Sequence, residues 1–205
     1  MASKPIYNVS KKYEAILDAG EALLCEGLEK AQPLSITKKA GVSVGLFYRY
    51  FDNKHALLTA VMERRLETLH TQITQDVEPI DDARQALECV LVSTLNYFRE
   101  HQGLIKLFFM EIGYGDVQAM QQLKAPRDTY RKIITLIIKK GIKQGSFRDQ
   151  KDLDIEIAVN AIVGTINWSL YDLLVVQGKH IEPKKLTQRI LTFLLQGLIS
   201  NKARS

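Results

Sequence analysis

The most constraining stretch is Gly41-Val42-Ser43-Val44-Gly45-Leu46-Phe47-Tyr48-Arg49-Tyr50-Phe51. Gly41 suits the left-handed backbone that ends a helix, because it has no Cβ to clash. Ser43 is a good N-cap residue for the helix that follows. Upstream, Ile36-Thr37-Lys38-Lys39-Ala40 reads as a helix with one apolar face. A small residue (Thr37), a glycine four positions on (Gly41) and an apolar anchor (Phe47) together spell a helix–turn–helix. In such a unit the second helix enters the major groove of DNA. Helical hairpins with a glycine turn also occur without any nucleic-acid role, so the spacing alone leaves both readings open.

A longer string narrows the choice. Ala40-Gly41-Val42-Ser43-x-Gly45-x-Phe47-Tyr48-x-Tyr50-Phe51-x-Asn53-Lys54-x-x-Leu57-Leu58 closely resembles the N-terminal domain of the TetR family of bacterial transcriptional regulators. Ile16-Leu17-x-Ala19-Gly20-x-x-Leu23-Leu24-x-x-x-Gly27 resembles that family's first helix. The motif-bearing resemblance covers roughly residues 11 to 65. Beyond it the chain matches the family in length, helical pattern and a weaker Gly-rich stretch near residues 141–168. Three positions depart from the family pattern. Gln32 stands where Ser or Thr is commoner, Thr37 where Ala is usual, and His55 where Glu is frequent.

Phe47 and Phe51 are four apart and should face the domain core. Ser43, Val44, Gly45, Leu46, Tyr48 and Arg49 are then available to DNA. Gly45 would let the backbone approach closely, and Arg49 can bridge O6 and N7 of guanine. Val44 and Leu46 could sit against thymine methyls, with inward packing the equal alternative for Leu46. Tyr48 matches a family tyrosine that bonds a phosphate; its other reading is an amphipathic lid on the core. Asn53 should cap the next helix. Lys54, in the first turn, makes sense if a phosphate shares that helix end, and the family usually has Lys there. Lys38 and Lys39 are either backbone contacts or a solvated face. Residues 1–10 read as a mobile arm, and Lys4, Lys11 and Lys12 could touch phosphate or lie in a minor groove, with a disordered start the favoured alternative.

The chain has 205 residues, 46% hydrophobic and 25% charged, with a net charge of +5. That length supports a real core. The mild basic excess permits a polyanionic partner without demanding one. The start has no signal-peptide core. The longest apolar run, Ile133 to Ile138, is interrupted by Thr135 and is far too short to span a bilayer. No membrane association and a cytoplasmic location are therefore expected. Cys25 and Cys89 read as buried free thiols.

From Leu57 to about Ile73 one helix continues, carrying Arg64 and Arg65, and the first break is Val77-Glu78-Pro79-Ile80. Helices follow at residues 81–100, Leu104–Ile112 and from Asp116. Pro126 should kink that last helix or start a fresh one. Asp152 to about Val176 and Pro183 to about Ile199 complete the pattern. No strand shows convincing alternation. The expected architecture is all-α with about nine helices. A helix–turn–helix domain spans residues 1–57, and a larger helical domain, residues 58–205, serves effector binding and dimerisation.

The last two helices are too apolar for a solvated face. Ile155, Ala158, Ala161, Ile162 and Gly164 suit close packing, as do Leu186, Ile190, Phe193 and Leu194. The resemblance implies a four-helix homodimer interface there. It would present two recognition helices to a palindromic site about 34–36 Å apart. The alternative is a pair that simply completes a monomer core. The family's effector pocket lies among the middle helices, where the candidate lining is Tyr97, Phe108, Glu111, Tyr130, Asn167, Trp168 and Tyr171. An apolar lining with a few polar groups implies a small, largely apolar or aromatic effector.

The resemblance thus implies a ligand-released repressor. A helical small-molecule or lipid carrier with a vestigial DNA-binding head is the alternative. Enzymatic function is not expected: His55, His70, His101 and His180 lack metal-ligand spacing, and there is no nucleophile elbow, phosphate loop or dinucleotide fingerprint. The Asp152/Asp154/Glu156 cluster reads as a helix cap. No cofactor or metal is expected.

Overall fold

Side-chain caps and turn residues set the helix limits in the computed structural model, which describes residues 11–111, 117–148 and 154–198. Asn53, Asp82 and Asp154 each accept a hydrogen bond from the amide three residues on, at 2.9, 2.8 and 3.0 Å. Each satisfies one donor that a helix start leaves open. The described residues form ten α-helices and no strand element. These are α1 (Lys11–Glu26), α2 (Pro33–Ala40), α3 (Val44–Tyr50), α4 (Lys54–Val77), α5 (Ala83–Glu100), α6 (Gln102–Glu111), α7 (Val117–Gln122), α8 (Lys124–Lys143), α9 (Ile155–Tyr171) and α10 (Pro183–Leu198). A π-helical turn, Asp172–Val176, extends α9.

The count exceeds the expected nine because the chain breaks at Leu123. Pro126 then lies in the first turn of α8, where its missing N–H would have had no intrahelical partner. Two smaller expectations also change. Ser43 holds the N-cap position of α3, but its side chain makes no capping bond. Cys25 is exposed and Cys89 half-buried, so neither is a core thiol. The basic arm through Lys4, Gly113–Asp116 and Asp152 lie outside the described residues.

One core runs through the molecule. It begins with Ile16, Phe47, Leu57 and Leu58, continues along Leu69, Ile73, Leu87 and Leu91, and ends at Ile134, Ile162 and Ile166. α4 is its axis, packing on α1 at one end and on α5, α6, α7 and α8 further along. The domain limit expected at 57/58 falls inside α4, where Leu57 and Leu58 are both fully buried. The head therefore joins the body through continuous helix. At the far end of α8, a Cβ on Gly141 would run into the Phe147 ring, so a fully buried Phe147 seats there only because Gly141 has no side chain.

α9 packs on α8 and α10 through Ala158, Val159, Ile162, Ile166 and Leu170. Its opposite face is exposed: Ile157, Ala161, Gly164 and Trp168, at helical spacing. The segment Ile155–Val176 is long and apolar enough by composition to cross a membrane. A search for uninterrupted apolar runs passes over it, because Asn160, Thr165, Asn167 and Ser169 divide the run.

Candidate nucleic-acid interface and ligand cavity

α2 and α3 are set at their turn by Gly41, in the left-handed conformation at φ 66° and ψ 33°, whose amide closes back on α2. Thr37 is buried and donates its hydroxyl to the Pro33 carbonyl at 2.8 Å, so a threonine costs nothing where alanine would fit. Gln32 is the N-cap of α2 by backbone, but its amide bonds Glu29 instead of capping. Phe47 is fully buried, with ring centroids 5.4 Å from Tyr48 and 5.6 Å from Phe51. Tyr13 on α1 packs against Tyr50 and Phe51 at 5.2 and 5.5 Å. This aromatic cluster fixes which face of α3 looks outward.

That outward face carries Ser43, Gly45, Tyr48 and Arg49, all exposed, with Val44 half-buried. Leu46 is half-buried and packs against the core, which favours its inward reading. A Cβ on Gly45 would meet nothing within 4 Å, so no internal contact requires a glycine there. Lys38 and Lys39 are exposed on α2, and Lys54 is half-buried in the first turn of α4.

A polar junction joins the head to the rest. Arg64 on α4 donates to Glu14, Asp18 and Glu21 on α1 at 2.9, 2.7 and 2.8 Å. Arg65 pairs with Glu21, which is only 7% exposed. Tyr97 on α5 lies beside Arg65; burial pushes its hydroxyl pKa up, against the pull of that guanidinium. Its ring packs against His101 at 4.5 Å. Sequence reading noted both arginines but not their partners. Glu14, Asp18 and Glu21 recur at i, i+4 and i+7, one acidic stripe facing two basic residues, and that spacing was the available signal.

Between α4, α5, α6, α7, α8 and α9 lies a cavity of about 130 Å³. Of the seven candidate lining residues, Phe108, Tyr130 and Asn167 border it. The other four candidates do not. Tyr97 belongs to the junction. Glu111 lies 3.6 Å from His55 at the start of α4. Trp168 is 66% exposed and stacks on Tyr171 at 5.5 Å, while Tyr171 meets Phe109 edge-on at 5.8 Å. Periodicity marks an apolar face but not which neighbour it meets.

Sequence reading missed His70, Thr94, Arg127 and Arg131 in this lining. His70 is 5% exposed and stacks on Tyr130 at 5.6 Å. Burial lowers its pKa to about 4, so it is neutral near pH 7. Tyr130 is half-buried overall but its hydroxyl end is enclosed; burial raises its pKa to about 12. Arg127 is exposed at the rim against the Met120 sulfur, and the half-buried Arg131 donates to Asn160 at 2.6 Å. The cavity is thus apolar inside, neutral and polar at one corner, and cationic at its edge. No group of three or more metal-ligating side chains occurs among the described residues.

Residues 16–61 match the family described as bacterial regulatory proteins, tetR family, and residues 81–172 match the tetracyclin repressor-like C-terminal domain. The uncharacterised HTH-type transcriptional regulator YvdT of Bacillus subtilis is 32% identical over 134 residues, 65% of this chain and 68% of that protein. The fatty acid metabolism regulator protein of the same organism is 24% identical over 188 residues, 91% of this chain and 95% of that one. The solved structure of the transcriptional regulator FadR from Bacillus subtilis in complex with stearoyl-CoA superposes with a TM-score of 0.76 at 24% identity. It covers 90% of this chain and 98% of that one, and the likeness is one of fold.

Proposed function

Because this chain belongs to the TetR family and is a DNA-binding transcriptional regulator, we propose that it is a homodimeric repressor of a palindromic operator, released by a long-chain acyl thioester. The observation that carries this reading is the unbroken α4. It begins at Lys54 beside the reading face and reaches the cavity wall at Met62, Leu66, Leu69 and His70.

On the DNA side, Arg49 and Val44 read bases, Tyr48, Lys38, Ser43 and Lys54 bond phosphates, and Gly45 admits the backbone. Leu46 divides its surface between the core and that face. Residues 1–57 form the head and residues 58–205 the effector and dimer part. With its reading face presented outward, the head is working equipment, which counts against a carrier with a vestigial one. The protein acts in the cytoplasm, where its operator lies.

A cavity of this size holds a molecule no larger than about a benzene ring. A long acyl chain enters only if the walls part, so it binds an expanded form better than the closed one. That difference in affinity is what shifts an equilibrium and, by linkage, releases DNA. The apolar interior suits the chain, and the guanidinium groups of Arg127 and Arg131 suit the phosphates of a thioester carrier. Relatives that regulate fatty acid metabolism support this ligand class.

The dimer forms through α9 and α10. Ile157, Trp168, Val176 and Phe193 are each more than 60% exposed. A second copy would cover them, and Ala161 and Gly164 would let two helices approach closely. Glu156 and Asp172 close both ends of the apolar segment, and Asn160 is already bonded to Arg131, which fits a protein partner better than lipid.

The test is selection of bound duplexes from a random-sequence pool at near-physiological salt, followed by titration of the recovered duplex with stearoyl-CoA. Enrichment of a palindrome and its release by the thioester are expected. A thioester that binds without altering operator affinity would defeat the mechanism.

A further inference from the structure

His70 sits oddly in an apolar wall. It is 95% buried by its 5% exposure, and its Nδ1 has no protein hydrogen-bond partner. Its neighbours on α4 that share the cavity, Met62, Leu66 and Leu69, are all apolar. A leucine or phenylalanine there would fill the same space without leaving a buried polar atom unpaired, an arrangement that works against stability. The imidazole stacks on Tyr130, which sets the plane of its ring in the cavity wall.

Tyr130 adds a second group at the same corner. The Thr94 hydroxyl lies 2.7 Å from the Val90 carbonyl, to which it must donate. The 2.9 Å contact between Thr94 and Tyr130 is therefore a bond in which Tyr130 donates. Its oxygen keeps lone pairs to accept from a ligand. The cationic groups, Arg127 and Arg131, already provide for an anionic head. The corner at His70 is neutral, and so is matched to an uncharged oxygen.

We infer that the cavity selects a chain bearing a hydroxyl group along its length over the plain saturated chain, with His70 Nδ1 as the selecting partner. This rests on the acyl-thioester reading above. A hydroxyl can donate to Nδ1 or accept from it, whichever tautomer is present, and can donate to the Tyr130 oxygen. A plain methylene leaves these groups buried and unpaired. A site built for hydrogen bonding rejects the analogue that lacks the oxygen.

The experiment is calorimetric titration of the purified full chain with octadecanoyl-CoA and with a series of hydroxyoctadecanoyl-CoA isomers, the hydroxyl walked along the chain. His70→Phe keeps a ring on Tyr130 and removes both nitrogens. His70→Gln keeps a polar group and guards against a packing artefact. One isomer should bind at least tenfold tighter than the plain chain. His70→Phe should abolish that preference, and His70→Gln should retain part of it. Plain chain bound with no isomer preferred, or a preference that survives in His70→Phe, overturns the inference alone. Failure of every thioester to bind overturns the acyl-thioester reading and this inference with it.

Discussion

At Gly45 the proposed close approach to DNA opposes helix stability. Nothing inside the protein needs a glycine there, and glycine in a helix costs up to about 1 kcal/mol relative to alanine. Gly45→Ala should therefore raise the thermal midpoint while weakening operator binding, a split that denaturation and duplex titration read separately. Weaker binding with unchanged or lower stability would point to a folding defect instead. His70 makes a second residue-scale prediction. Its pKa falls from an ordinary 6.5 unfolded to about 4 folded, so the unfolded chain takes up a proton first as pH drops. Its effect on stability is absent above pH 6.5 and grows as a penalty down to pH 4, to at most about 3 kcal/mol. Chemical denaturation across that window should show a shallower loss in His70→Phe than in the parent.

At the scale of helices, the junction of α1, α4 and α5 is the place to cut. Glu21 serves Arg64 and Arg65 together from a nearly buried position. Glu21→Ala leaves Arg65 without its carboxylate, while Arg64 keeps Glu14 and Asp18. Stability should fall by about 2 kcal/mol, less than for a fully buried pair because both guanidinium groups keep some solvent. Thioester should also release operator less effectively, since the head is then tied less firmly to α4. Undiminished release would separate this junction from signalling. The helix start at Asn53, the Gly41 turn and the inward anchors Phe47 and Phe51 were legible, because each depends on a few neighbouring residues, whereas the start expected at Asp152 falls at Ile155 behind the Asp154 cap. Cavity membership was not. Trp168 and Tyr171 share an apolar helix with Ile166, yet only Ile166 faces the cavity. That outcome is decided by which of six helices packs where, not by period. His70 escaped notice for the same reason: a lone histidine has no signature until a tyrosine 60 positions on stacks against it.

For the whole molecule, the proposed dimer would cover the exposed stripe of α9 and the Phe193 face of α10. Trp168→Glu with Phe193→Glu should give a folded monomer by sedimentation, with operator affinity reduced at least a hundredfold as the second head is lost. A dimer that persists would place the interface elsewhere. Finally, α4 is a single rod with no proline or glycine in its 24 residues. At about 1.5 Å per residue, His70 stands about 24 Å from Lys54. A tilt of about 5° at the cavity then swings the reading end by about 2 Å, comparable to the tolerance of base contacts. The gain of this lever is set by its length and stiffness. In the release mechanism proposed above, a ligand need not push hard, only wedge the near end, and a softened α4 would absorb the stroke before it reached the groove.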